Sequence, residues 1–117
     1  MRRRYFAMAI SRRHILLVEE HRAVRAAFVA LFESLCDYAL HQAPGTRDAL
    51  GLTSRLRVDL AVVDLTQNAE SKSRLEMIRG WRRDGLVFPV ITTSAQDYDG
   101  LMLEAFDSGA DDFLRKP

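Results

Sequence analysis

A single cysteine, Cys36, stands in the 117-residue chain, so an internal disulfide cannot form and a crosslinked scaffold is excluded. It lies near the end of an apolar helical stretch with no histidine neighbour to activate it, and reads as a small buried thiol. Charge of one sign is scarce as well: the formal net charge is +1, which excludes a global attraction to nucleic acid or to an anionic membrane. Long apolar runs are missing. The stretch Tyr5 to Ile10, enclosed by Arg2, Arg3, Arg4, Arg12 and Arg13, is too short for a signal-peptide core or a membrane span, so a cytoplasmic location is expected, with no membrane contact. No repeat or low-complexity segment occurs. Residues 1–13 read as a basic, disordered leader rather than a nucleic-acid arm, and direct nucleic-acid binding by this chain is not expected.

What is present is ordinary for a globular domain: 48% hydrophobic and 28% charged residues, enough to bury a core in one domain spanning 14–117. The apolar residues Val24, Ala27, Phe28, Leu31, Phe32 and Leu35 fall at intervals of three and four, which predicts an amphipathic helix behind a first strand, "ILLV". "DYALHQA" reads as a short strand, "PGT" as a turn with Thr46 as helix N-cap, and "RDALGLTSRL" as a second helix. "VDLAVVDL" is a third strand, followed by a polar loop "TQNAESKS" and a helix "RLEMIRGWRRD" closed by Gly85. "VFPVITT", a helix "LMLEAFDS" ending at Gly109, and a fifth strand "DDFLRK" complete the pattern.

Strands alternating with helices, several of them apolar on both faces, predict a three-layer α/β fold: a doubly wound parallel sheet of five strands. In such sheets the ligand site lies beyond the carboxyl ends of the strands. Glu19 and Glu20 end the first strand, Asp64 the third, Ser94 follows the fourth and Lys116 ends the fifth. Adjacent carboxylates at the end of a buried strand repel each other unless something compensates them. A hard divalent cation, Mg²⁺, would do so, with Asp64 facing it. An aspartate so placed can accept a phosphoryl group as an acyl phosphate, while a metal and Lys116 neutralise charge and Ser94 donates a hydrogen bond.

The segments "ILLVEE", "VDLAVVDL", "LEMIRGWRRDG", "PVITTSA" and above all "GADDFLRKP" resemble, in order, the receiver domain of two-component response regulators. The resemblance implies a flavodoxin-like sheet of strand order 2-1-3-4-5. It makes Asp64 the acceptor of phosphate from a sensor histidine kinase or a phosphotransfer protein, and Glu19 and Glu20 the acidic pair. Ser94 becomes the switch hydroxyl, Phe113 the switch aromatic and Lys116 the phosphate-contacting lysine. Mg²⁺ would be held by Glu19, Glu20, Asp64 and the backbone carbonyl of Thr66. The domain would act as a phosphoacceptor rather than an enzyme, and its output would be a shift of the fourth helix and fifth strand, a surface that could also join two copies.

Departures from the family bear on each point. Glu20 stands where an aspartate is usual, one methylene longer in a site where Mg²⁺ tolerates only near-octahedral geometry. "LTQNAESKS" lacks the usual proline and glycine and is longer by about two residues, which favours a more mobile loop. These features support the alternative of a pseudo-receiver, a constitutive interaction module without phosphotransfer. The family's fifth helix is absent from this chain, so it reads as truncated after the fifth strand, and a marginal or self-associating domain is expected. Elsewhere the bland roles are the default. Trp81 with Leu75 and Ile78 belongs to a core-facing stripe, Arg79, Arg82 and Arg83 to a solvated face, and His14, His21 and His41, which lack metal-ligand spacing, to surfaces or turns.

Overall fold

The computed structural model describes residues 12–35, 37–66, 71–95 and 99–116. Most of the basic leader, Cys36, the middle of the loop after Asp64, residues 96–98 and Pro117 lie outside the described residues. The chain alternates β1 (Arg13–Val18), α1 (Arg22–Glu33), β2 (Tyr38–Ala43), α2 (Thr46–Thr53), β3 (Leu60–Asp64), α3 (Ser71–Arg83), β4 (Val90–Ser94), α4 (Asp99–Ser108) and β5 (Asp112–Arg115). All four strand pairings are parallel, and the order across the sheet is β2-β1-β3-β4-β5. That is the expected doubly wound sheet, with its switch point between β1 and β3.

Side chains alternate across the sheet, so each strand feeds two layers. Leu16, Val18, Ala61, Val63 and Val90 point into one core with Ala49 of α2, Leu75, Ile78 and Trp81 of α3, and Leu101 and Ala105 of α4. Trp81 is buried at 2% exposure and meets Phe88 edge to face, with ring centroids 5.1 Å apart. Its indole Nε1 has no hydrogen-bond partner. Trp81→Phe therefore removes an unsatisfied donor along with some volume and is expected to cost less than about 1.5 kcal/mol, whereas Trp81→Ala opens a cavity worth about 3–5 kcal/mol. Urea titrations followed by circular dichroism measure both, and equal losses would contradict this packing account.

Helix α1 covers the predicted stripe only as far as Glu33, short of Leu35; none of its residues is fully buried, and Leu31 within it and Leu35 beyond it remain exposed. It packs against β2, and that contact covers only part of a stripe as wide as this one. Other boundaries differ for local reasons. Gly45, not Thr46, caps α2; it makes no side-chain cap, and the Thr46 hydroxyl instead pairs with that of Ser73 at 3.1 Å. β4 begins at Val90 rather than Val87, since Pro89 has no N–H for a ladder and only its carbonyl takes part, accepting from Ala61 at 2.9 Å. α3 begins three residues before Arg74, which places that arginine in its first turn.

Arg82 does not belong to a solvated face. Its guanidinium donates to the carbonyls of Gly109, Leu86 and Phe88 and pairs with Asp111 at 3.0 Å, tying α3 to both flanks of β4. Gly109, at φ +117°, lets the chain turn beneath it; a Cβ there would come within 2.6 Å of the Arg82 side chain. At the other edge, His14 and His41 on β1 and β2 share a hydrogen bond of 3.0 Å between ring nitrogens, which requires one ring to be neutral. Burial pushes His41 below its ordinary pKa, and the neighbouring His14 adds to the effect. The unfolded chain thus binds more protons than the folded one below about pH 6.5, and stability falls as pH drops through that value. The melting temperature should fall between about pH 7.5 and 5.5, and by less in His41→Gln. An identical fall in both proteins would exclude this pair as a source.

Candidate functional site

Each polar group at the carboxyl edge is placed by its strand. Glu19 directly follows β1, its N–H bonded to the carbonyl of Ala43, and its side chain is 1% exposed. The sharp turn after it is held by Arg25 from the first turns of α1, whose Nη1 donates to the carbonyls of Glu19 and Glu20 at 2.8 Å each. Glu19 Oε2 accepts from both the backbone N–H and ring Nδ1 of His21 at 3.2 Å. The Glu19 carboxylate is thus compensated by His21 and by Lys116, which donates to its Oε1. Glu20 points elsewhere and stays partly exposed.

Asp64 ends β3 and is buried at 1% exposure. Its Oδ1 is held by three donors: the hydroxyl of Thr66 at 2.9 Å, the hydroxyl of Thr93 at 3.3 Å and Lys116 Nζ at 2.9 Å. Its Oδ2 is buried and has no hydrogen-bond partner. Lys116 reaches the site because its N–H bonds the carbonyl of Ser94 at 2.8 Å, continuing the β4–β5 ladder, and its ammonium bridges Asp64 to Glu19 Oε1. Burial by itself would lower the Lys116 pKa; hydrogen bonds to the two carboxylates and their charges outweigh it and hold the ammonium above its ordinary range. Ser94 is fully buried beside this ladder, and Phe113 is half-buried against the core.

Glu19, Asp64 and Lys116 thus meet at the strand ends while Glu20 stands apart, and three further residues enter the pocket. His21 joins it: its ring nitrogen and carboxylate oxygens of Glu19 and Asp64 lie within 4.8 Å of one another. A lone exposed histidine after an acidic pair gave no spacing signal for this. Thr93, one residue before Ser94 and the register partner of Asp64 on β4, contributes the hydroxyl that reaches Asp64. Arg74 is fully buried, its Nη1 donating to the Asp64 backbone carbonyl at 2.6 Å. The available signal was its position on the stripe it shares with Ile78 and Trp81, where an arginine has no reason to be unless something charged faces it. The oxygen-rich donors and the orphaned Asp64 Oδ2 fit a hard cation such as Mg²⁺ in chemistry. Glu20 stands apart from the Glu19–His21–Asp64 group, with Oε2 4.0 Å from Arg74 Nη2.

Among the described residues no helix is long and apolar enough to cross a membrane. The family model for the response regulator receiver domain matches residues 15–117. Response regulator MprA of Mycolicibacterium vanbaalenii is 33% identical over 103 residues, which cover 88% of this chain and 43% of the relative. The swarming motility regulation protein RssB of Serratia marcescens is 33% identical over 104 residues, 89% of this chain and 46% of the relative. The chain thus spans less than half the length of these curated relatives. Among solved structures, a response regulator from Thermotoga maritima superposes with a TM-score of 0.74 at 25% identity, covering 91% of this chain and 86% of that one. The receiver domain of the Francisella response regulator 1452 gives a TM-score of 0.77 at 24% identity, over 90% of this chain and 84% of that one.

Proposed function

Because this chain belongs to the response regulator receiver domain family, we propose that it accepts a phosphoryl group on Asp64 from a sensor histidine kinase or a phosphotransfer protein. The change is then passed to a protein-interaction surface. The observation that carries this reading is the division of labour on one buried carboxylate: Oδ1 is fixed by three donors, Lys116 among them, while Oδ2 makes no hydrogen bond and faces the Arg74 guanidinium at 3.6 Å. A carboxylate positioned in this way is a nucleophile held in one orientation, which lowers the entropic part of the barrier.

In the proposed transfer, a carboxylate oxygen of Asp64 attacks phosphorus and forms the acyl phosphate. The bond from phosphorus to the donor breaks, and the donor leaves with the electron pair. Lys116 is placed to neutralise an oxygen of the arriving group, as its ammonium already contacts Asp64. Buried Ser94, at the end of β4, is the hydroxyl that would then bond the phosphoryl group and draw the strand end inward. Mg²⁺, held by Glu19, Glu20, Asp64 and the Thr66 carbonyl, would supply further charge neutralisation. The output would run through Phe113 on β5 and through α4, whose Leu103 and Phe106 are exposed and available to a partner or a second copy.

Incubation with Mg²⁺ and a small acyl phosphate, followed by intact-mass measurement, should show one added phosphoryl group. A folded chain without that addition would favour the second reading, a pseudo-receiver acting as a constitutive interaction module. The buried Arg74 beside Asp64 is the observation on its side.

A further inference from the structure

Arg74 is the largest fully buried side chain among the described residues. Taking a guanidinium out of water costs hydration that only opposite charge and hydrogen bonds restore. Here restoration is incomplete. Nη1 bonds the Asp64 carbonyl, but Nε and Nη2 have no hydrogen-bond partner. The charge faces carboxylates instead: Nη1 lies 3.6 Å from Asp64 Oδ2, and Nη2 lies 4.0 Å from Glu20 Oε2. Lys116 holds the opposite oxygen of Asp64 and Glu19, so the two cations divide the pocket between them.

We propose that Arg74 is a built-in counter-cation of the pocket, standing on its Glu20–Asp64 side and competing with a divalent cation for the Asp64 carboxylate, which also belongs to the Glu19–His21–Asp64 group. The inference rests on the reading of this pocket as a cation-assisted phosphoacceptor site. With Lys116 and Arg74 both in place, three carboxylates already face two positive side chains. A divalent ion entering there overshoots neutrality, and it gains the Asp64 and Glu20 oxygens only by pushing the guanidinium aside. Weak metal binding would then follow from charge already present, independently of the extra methylene of Glu20.

The test is Mn²⁺ binding by the full chain, read from the electron paramagnetic resonance of the free ion, in wild type, Arg74→Met and Arg74→Lys. Arg74→Met should bind Mn²⁺ about tenfold more tightly than wild type, and Arg74→Lys, which keeps the charge, within about twofold of it. Unchanged or weaker binding in Arg74→Met would overturn the proposal. So would an equal gain in Arg74→Lys, since size rather than charge would then be the cause. If Arg74→Met does not fold, Mg²⁺ titration of the wild type followed by nuclear magnetic resonance decides. The Arg74 Nε–H signal should shift as the ion binds, and a signal that stays fixed at saturation would overturn competition. None of these readouts needs phosphoryl transfer. Tighter Mn²⁺ binding in a chain that never takes up phosphate would keep this inference and remove the phosphoacceptor reading, and the converse result would do the opposite.

Discussion

Replacing Asp64 with asparagine should reduce phosphoryl uptake from a small acyl phosphate to that of the untreated chain. The amide keeps the shape of the side chain and can still accept at the Oδ1 position from Thr66 and Thr93, so the strand end has reason to stay in place. What it loses is the anionic oxygen. The buried carboxylate carries that charge in the wild type, and an amide has none with which to form the new bond to phosphorus. Asp64→Glu separates charge from position: it keeps a carboxylate but moves it by roughly a bond length, and a displacement near 1 Å costs about a hundredfold in rate. Uptake that persists in Asp64→Asn would place the acceptor on another residue.

The second large effect is on stability. Lys116→Met should destabilise the domain by about 3–5 kcal/mol, because it leaves two buried carboxylates facing each other without their shared cation. Glu19 is 1% exposed and Asp64 2% exposed as side chains, and both touch the Lys116 ammonium. The loss is a large fraction of the roughly 5–15 kcal/mol that holds a typical domain folded. Urea unfolding measures it directly. Combining Lys116→Met with Glu19→Gln should recover part of the loss, since the remaining repulsion is then relieved, and strict additivity of the two changes would contradict the pairing.

The parts of the molecule legible in sequence were those set by local period and strand-end position. Apolar alternation with helical stripes was enough for the parallel sheet. The rule that sites gather at carboxyl ends was enough to place Glu19, Asp64, Ser94 and Lys116 on one edge, where Glu19, Asp64 and Lys116 touch. Strand order needed more than pattern and came with the family resemblance. What could not be read off depends on long-range geometry. His21 enters the pocket because the turn after β1 is pinned by Arg25, a contact six residues away from Glu19 with no motif of its own. Arg82 looked solvated because its partners, the carbonyls of Gly109, Leu86 and Phe88, are backbone atoms and leave no trace in side-chain identity. Arg74 sits within a basic helix, and its place on the buried stripe with Ile78 and Trp81 is what distinguishes it from the other arginines there.

The most direct test of the central claim is to locate the phosphoryl group on the chain. After exposure to Mg²⁺ and a small acyl phosphate, reduction with borohydride converts a phosphorylated aspartate to homoserine, and tandem mass spectrometry of the digested protein identifies the residue changed. The account predicts homoserine at position 64 and at no other carboxylate, with none in the sample that received no phosphodonor. An unmodified Asp64 in a chain shown to be folded, or conversion at Glu19, Glu20 or a surface acid instead, would contradict it.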